Sequence, residues 1–177
     1  MNKLTALIIA ASCLALSSLH AQDSILKNGD FERSLNQDKW LNGWFGQSVE
    51  PSPDQWATTI PLDEGGQAVE IKGGPPVRSL CQDVLLINGE QTGKQFILRW
   101  QAKGQGTSSI SALPRDVDGK FFKAASKAIV LSDTFEAQEI PVEIPEDAGF
   151  VRITLSPGEG SVVVFDNVEL VPAAASN

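Results

Sequence analysis

The chain has 177 residues and a formal net charge of −8, from 14 lysines and arginines against 22 aspartates and glutamates. Lysine and arginine do not cluster anywhere along the sequence, so its charge argues against nucleic acid and anionic membranes as partners. The length corresponds to one domain.

The first 21 residues have the layout of a secretory signal peptide. Lys3 precedes an apolar run from Leu4 to Leu16, and the small residue Ala21 stands just before Gln22. The apolar run is shorter than the roughly 20 residues that a permanent transmembrane helix needs. We therefore expect cleavage near Ala21 and a soluble protein that is secreted or periplasmic.

An alternative interpretation of this segment makes Cys13 the acceptor of a lipoprotein anchor. Ala10, Ala11 and Ser12 lack the large aliphatic residue that usually stands three positions before such a cysteine. Cleavage near Ala21 is the preferred interpretation.

Removal of the segment limits the available catalytic chemistry, because His20 is the only histidine of the chain. The remaining residues have no tyrosine and a single cysteine, Cys81, so they offer no internal disulfide, Ser-His-Asp triad or histidine-based zinc site. A glycoside hydrolase needs only two carboxylates and stays an alternative, although no acidic residue stands in a recognisable catalytic motif. We expect a protein that is not an enzyme.

Short stretches of alternating apolar and polar residues recur between glycine, proline and asparagine turns, as they do in β-strands. The clearest stretches cover residues 68–73, 77–87, 94–104, 107–113, 127–132, 137–145, 150–155 and 161–170. Without helical periodicity between them, they predict an all-β fold, a two-sheet antiparallel β-sandwich of the jelly-roll type, over residues 22–171. We expect residues 172–177 to form a flexible tail.

The stretch at residues 94–104 shows how such a strand divides its side chains between two faces. Alternation places every second residue from Phe96 to Ala102 in the core, and Arg99 and Gln101 on the outer face. Together with Gln82, these side chains offer hydrogen bonds to a polyol. The alternative is an ordinary solvated sheet face.

Five segments occur in an order seen in a known family. They are NGDFE (28–32), LNGW (41–44), QAVEIKG (67–73), the long stretch from 80 to 104, and VVFDNVEL (163–170). In this order they resemble the secreted jelly-roll carbohydrate-binding modules of families 4, 9 and 22, which are attached to cellulases and xylanases. The resemblance implies a non-catalytic domain that binds an oligo- or polysaccharide, with its first and last strands adjacent and Trp44 largely buried.

Acidic residues lie near both ends of this pattern. If residues 28–32 form a strand, Phe31 enters the core while Asp30 and Glu32 point outward. The resemblance implies a structural Ca²⁺ here, held by Glu32 and Asp166 with Asp30 beside them, and carboxylate oxygens are ligands that Ca²⁺ prefers. Alternatively, Asp30 and Glu32 are solvated strand residues or turn formers.

Four tryptophans supply candidates for stacking against sugar rings. Trp56 lies in a loop-like polar segment and is the first candidate, followed by Trp40. Trp44 and Trp100 are predicted to be core residues, and for each tryptophan the alternative is packing in the interior. Tyrosines often line the clefts of the family, and this chain has none.

Two functions from different classes follow from the sequence. The preferred hypothesis is a secreted carbohydrate-binding module whose site includes Trp56, Trp40, Arg99, Gln101 and Gln82. The alternative is a secreted structural or adhesive β-sandwich that binds a protein partner, because jelly rolls serve many roles.

Overall fold

A computed structural model of the chain describes residues 23–33, 43–47, 55–87 and 89–174. The described residues form ten β-strands and contain no α-helix, hence none long and apolar enough to cross a membrane. The strands are β1 (Phe45–Gly46), β2 (Ala57–Pro61), β3 (Gln67–Lys72), β4 (Leu80–Leu85), β5 (Lys94–Gln105), β6 (Thr107–Arg115), β7 (Ala125–Val130), β8 (Glu136–Ile144), β9 (Phe150–Pro157) and β10 (Val162–Pro172).

The strands form two antiparallel five-stranded sheets. Sheet A has the order β1-β4-β9-β6-β7, and sheet B has the order β2-β3-β10-β5-β8. Each sheet directs alternate side chains into a shared core, as the burial patterns of β9 in sheet A and β5 in sheet B show. The predicted all-β, two-sheet antiparallel sandwich is confirmed.

All eight predicted stretches correspond to strands β3 to β10, with ends that differ by a few residues. The sequence did not predict β1 and β2. Both are edge strands, at the margins of sheets A and B respectively. An edge strand needs no strong alternation, because it pairs on one side only: β1 has two residues and β2 ends in a proline.

The core lies between the sheets and contains most of the large apolar side chains. Trp44 and Trp100 are buried in it, as predicted, and Phe96, Leu98 and Ala102 accompany Trp100 on the inner face of β5. The largest fully buried side chains include Trp56, Phe31, Phe96, Phe165, Ile71, Leu98, Ile110, Ile144, Ile153 and Leu155.

Residues 28–32 form a turn rather than the predicted strand. Asn28 and Phe31 have φ values of 51° and 54°, and the Phe31 amide donates to the Asn28 carbonyl at 3.3 Å. The turn still buries Phe31 and leaves Asp30 and Glu32 exposed. The predicted burial of Phe31 and the outward directions of Asp30 and Glu32 are confirmed. The strand from which these directions were derived does not form.

The N-terminal segment packs against the last strand. Ile25 donates its amide to the Leu170 carbonyl at 3.0 Å, and Val168 donates to the Gly29 carbonyl at 2.9 Å. A Cβ on residue 29 would lie 1.8 Å from the Val168 carbonyl oxygen, so only glycine permits this approach. The two ends of the described chain are therefore adjacent, as the family resemblance implied.

Candidate functional site

The predicted aromatic site does not form as expected. Trp56 is only 2% exposed, so the prediction that its ring is available for stacking is wrong. Its neighbours in the sequence are mostly polar, but the ring itself lies in the core where β2 begins. Trp40 lies outside the described residues.

Gln82 is also misplaced by the sequence prediction. It lies on β4 of sheet A in register with Ile153, whose side chain is in the core, and is 3% exposed. Its Oε1 accepts from the Lys27 amide at 2.7 Å, and its Nε2 donates to the Lys27 carbonyl at 2.8 Å. Both ends of this amide therefore hold the N-terminal segment, and Gln82 is not on a polar surface with Arg99.

Arg99 and Gln101 do lie together on the outer face of sheet B. They line a groove of about 530 Å³ together with Asn167 and Glu169. Arg99 donates from Nε to Glu139 at 3.3 Å across the pair of β5 and β8. A role for these residues in binding a saccharide stays a prediction.

Asp166 and the acidic turn lie close enough to interact electrostatically. The pKa of Asp166 is raised, mainly by burial and further by the negative charges of Glu32 and Asp30. Glu32 accepts the Gln67 amide at 2.7 Å, which fixes its carboxylate beside β3. Among the described residues, no three acidic, histidine or cysteine side chains stand close enough to hold a metal ion. The calcium site stays a prediction.

The outer face of sheet A carries a different combination of side chains, which we call the arginine face: Phe45, Asp83, Arg115, Phe150 and Arg152. Antiparallel register brings Asp83 opposite Arg152, and Phe150 opposite Arg115. Phe45 lies on β1 in register with Cys81, two residues before Asp83. The five side chains thus come from four neighbouring strands.

Asp83 is the centre of the arginine face. Arg152 donates to both of its oxygens, from Nε to Oδ1 and from Nη2 to Oδ2, each at 2.7 Å. Arg115 donates from Nη2 to Oδ2 at 2.8 Å. These contacts lower the pKa of Asp83, with the hydrogen bond from Arg152 as the largest cause, and the same bond raises the pKa of Arg152.

Each guanidinium group also lies over a phenylalanine ring. The Cζ of Arg115 is 5.2 Å from the Phe150 ring centroid, and the Cζ of Arg152 is 5.4 Å from that of Phe45. At these distances the rings attract the cations. The guanidinium groups are therefore held between an acid and an aromatic ring, which orients them on the surface.

Neutral polar groups continue the surface across the sheet. The register aligns Cys81, Thr154, Ser111 and Ser126 on four adjacent strands. Cys81 is buried on this outer face, where its thiol contacts Gln47 and Thr154 rather than the core between the sheets. Burial raises the pKa of the Cys81 thiol.

The sequence contained a signal for part of this site. In FVRITL, alternation sets Phe150, Arg152 and Thr154 on the face opposite three buried residues. The pairing of Arg152 with Asp83 depends on which strands are neighbours, and 69 residues separate the two in the chain. Sequence reasoning therefore missed the site.

The outer face of sheet B has no comparable set of aromatic and hydroxyl groups along its strands. Its outward strand positions carry five acidic and three basic side chains: Glu70, Glu139, Glu143, Asp166 and Glu169 against Lys72, Arg99 and Lys103. Of the two outer faces, only that of sheet A combines aromatic rings with oriented hydrogen-bonding groups on the described strands.

Comparison with solved structures shows the class to which the fold belongs. A CBM4 carbohydrate-binding module has a TM-score of 0.58 at 19% identity, over 84% of this chain and 99% of the module. TmCBM61, solved with β-1,4-galactotriose, has a TM-score of 0.59 at 16% identity, over 85% of this chain and 99% of that one. The chain has the jelly-roll fold of carbohydrate-binding modules.

A third structure contains the same fold as one part of a larger protein. The enzymatically active domain of tailspike protein 4 from bacteriophage CBA120 has a TM-score of 0.63 at 16% identity over 85% of this chain. This chain spans about a fifth, 21%, of that structure. No protein-family model and no curated protein sequence matches the chain.

Proposed function

We propose that the protein is a secreted, non-catalytic carbohydrate-binding module that takes an oligo- or polysaccharide on the arginine face. The observation that carries the proposal is the Asp83 network between Phe45 and Phe150 on one open sheet surface. Two solved carbohydrate-binding modules support the proposal, because this chain matches 99% of the length of each. One of them was solved with a galactotriose.

The chemistry of this face suits a sugar. Sugar rings present flat C–H surfaces that pack on aromatic rings, and their hydroxyl groups both donate and accept hydrogen bonds. Phe150 and Phe45 supply rings, the guanidinium groups supply oriented donors, and Thr154 adds a hydroxyl group.

The same geometry favours binding over catalysis. A glycoside hydrolase needs a carboxylic acid that is protonated at working pH, which requires a raised pKa. Asp83 accepts three hydrogen bonds from two arginines, and its pKa is lowered, so it stays ionised. At this face the acid therefore acts as an anchor for the arginines rather than as a proton donor.

Export from the cytoplasm is the other element of the proposal. It is supported by the layout of residues 1–21, which lie outside the described residues. The predicted product begins at Gln22, and the proposal places it in the periplasm or the extracellular space.

Affinity electrophoresis against soluble polysaccharides, with pull-down on insoluble ones, tests the function. We expect retardation by at least one glycan, and we expect Phe150→Ala to weaken it about tenfold because the ring is lost from the binding surface. Phe135→Ala is the matched control: this half-buried ring also lies beneath a cation, Lys103 at 4.5 Å, but on the sheet B side.

The two variants distinguish the candidate surfaces. Loss of binding in Phe135→Ala with retention in Phe150→Ala would move the site to the outer face of sheet B, where Phe135 lines a groove with Gln101 and Lys103. Absence of retardation on every glycan would contradict the proposal and favour the alternative, a secreted β-sandwich that binds a protein partner. Leu85 and Phe121, 68% and 62% exposed, are the apolar side chains beside the arginine face that such a partner would contact.

The proposal includes a structural calcium ion held by Glu32 and Asp166, with Asp30 beside them. Because no three acidic side chains meet in the described residues, backbone carbonyls or water would supply its other oxygen ligands. Within the described residues, none of the three forms an ion pair with lysine or arginine. The pKa of Asp166 is raised mainly by burial and further by the negative charges of Glu32 and Asp30. A hard cation that prefers oxygen ligands would relieve this repulsion. Bound there, it would connect the N-terminal turn to β10.

Calcium is expected to raise the melting temperature of the protein. At tenfold excess over the dissociation constant, binding to the native state stabilises it by about 1.4 kcal/mol, or about 3–6 °C. Differential scanning calorimetry with calcium and with chelator measures the shift. Protons compete for Asp166, so the shift should shrink as the pH falls toward the raised pKa.

Glu32→Gln keeps an oxygen that accepts the Gln67 amide but removes the charge, so it should abolish most of the calcium shift. Glu159→Gln is the control, because Glu159 is an exposed acid in the turn before β10. Equal shifts in both variants would contradict a calcium site at Glu32.

A further inference from the structure

We propose that the arginine face selects a saccharide that carries a carboxylate, namely a uronic acid residue within an otherwise neutral glycan. This inference rests on the proposed function and names the ligand class of the same site. The outward positions of the sheet A strands carry Arg115, Arg152 and Asp83 as their charged side chains, two positive against one negative. The face thus has a net charge of +1 on a chain of net charge −8.

The positive charge on this face is incompletely compensated. The side chains of Arg115, Arg152 and Asp83 are each only 25% exposed, which limits the water that can solvate them. Asp83 neutralises one guanidinium group, and Lys127, the basic residue of β7, lies in the core-facing register opposite Ile110. Two half-buried positive charges that share one negative charge favour an additional anion, because burial makes an uncompensated charge costly.

Arg115 has the donors to bind such an anion. Of its five N–H groups, it uses one in the bond from Nη2 to Asp83, whereas Arg152 commits Nε and Nη2 to the same acid. The Nε of Arg115 is buried and has no hydrogen-bond partner in the described part of the chain, so the donors left for a ligand on the surface are those of Nη1 and the second N–H of Nη2. Guanidinium and carboxylate groups form strong paired hydrogen bonds, so a sugar carboxylate suits this residue better than a hydroxyl does.

The surroundings argue for a sparsely charged glycan rather than a polyuronate. Thr154, Ser111 and Ser126 extend the surface as a neutral row, with Phe150 on the other side of Arg152. One net positive charge matches one carboxylate. A polymer with a carboxylate on every residue would be repelled by the rest of this acidic protein.

Isothermal titration calorimetry with matched oligosaccharides tests the inference. The probes carry one glucuronic or galacturonic acid, and their counterparts are the same molecules after reduction of the carboxyl group to an alcohol. We expect the wild-type protein to bind the acidic member about tenfold more tightly, because one charge-assisted contact is gained. Raising the salt concentration from about 0.05 M to about 0.5 M should weaken the acidic member selectively.

Arg115→Gln and Arg99→Gln make the same change in net charge on opposite sheets. In Arg115→Gln, Arg152 still holds Asp83, so we expect the fold to persist. The affinity for both probes should fall because a donor is lost, but it should fall more for the acidic probe, so that the preference drops to about twofold or less. Arg99→Gln should keep the full preference, because Arg99 is exposed on sheet B.

The outcomes separate the two proposals. Equal wild-type affinity for the acidic and reduced probes, or no selective effect of salt, overturns the inference and leaves carbohydrate binding in place. Loss of the preference in Arg99→Gln with its retention in Arg115→Gln also overturns it. If neither these probes nor any polysaccharide binds, the proposed function itself fails, and the inference fails with it.

Discussion

Replacement of Phe31 by alanine is expected to lower the free energy of unfolding by about 3–5 kcal/mol, the range for removing a fully buried phenylalanine. Phe31 is 0% exposed, and its ring centroid lies 5.6 Å from that of Trp44. The Trp44 indole donates to the Asn28 carbonyl at 3.1 Å, so the cavity would lie where the N-terminal turn joins the sandwich. Equilibrium unfolding in urea measures the loss.

Phe121→Ala removes the same side chain from a position that is 62% exposed. This control should change the stability by about 0.5 kcal/mol or less, as most surface substitutions do. A loss below about 1 kcal/mol in Phe31→Ala would show that the turn does not pack as described, since a cavity of this size is costly. The adjacent strand β1 carries Phe45, so the first variant should also weaken glycan binding.

Replacement of Asp83 by alanine is expected to destabilise the protein by about 2–3 kcal/mol at neutral pH, less than for a fully buried pair because water still reaches the site. The substitution removes three hydrogen bonds and leaves Arg115 and Arg152, each 25% exposed, to repel each other. It should also abolish glycan binding on the arginine face, because Asp83 orients both donors. Urea unfolding and affinity electrophoresis measure the two effects.

The pH dependence of this loss has a definite sign. The folded pKa of Asp83 lies below its ordinary value near 3.8, so the ionised form contributes stability above that value. This contribution disappears as the pH falls through the lowered pKa. The difference in stability between wild type and Asp83→Ala should therefore be largest near neutrality and shrink below about pH 4.

Asp118→Ala is the control for this series. Asp118 is exposed, and its side chain makes no hydrogen bond or ion pair within the described residues. Its removal should leave the stability nearly unchanged at every pH. A pH-independent loss in Asp83→Ala would mean that packing, rather than the ion network, explains the effect of Asp83.

Local patterns in the sequence determined the fold class and the direction of many side chains. Alternation identified strands β3 to β10, assigned Phe96, Leu98 and Trp100 to the core, and placed Arg99 and Gln101 together on an outer face. These predictions succeeded because a strand has a period of two residues that is visible in the sequence of that strand alone.

Trp56 and Gln82 are two residues whose positions this reasoning predicted wrongly. Each stands among polar or alternating residues, yet Trp56 enters the core and Gln82 turns inward to bind the backbone of Lys27. The direction of a side chain in a loop depends on the chain that packs over it. The burial of a polar side chain likewise depends on a hydrogen-bond partner that is distant in the sequence. The burial of Trp56 and Gln82 therefore does not follow from the local sequence pattern.

The sequence by itself determined the number of strands to within the two short edge strands, the antiparallel sandwich, and the apolar and polar faces of its longer strands. Only the tertiary structure decided which outer face carries the candidate site. Arg152, Asp83 and Arg115 meet because β4, β9 and β6 are neighbours in sheet A. The order of strands in a sheet is set by pairing between segments far apart in the chain. Local alternation of apolar and polar residues therefore does not predict that order.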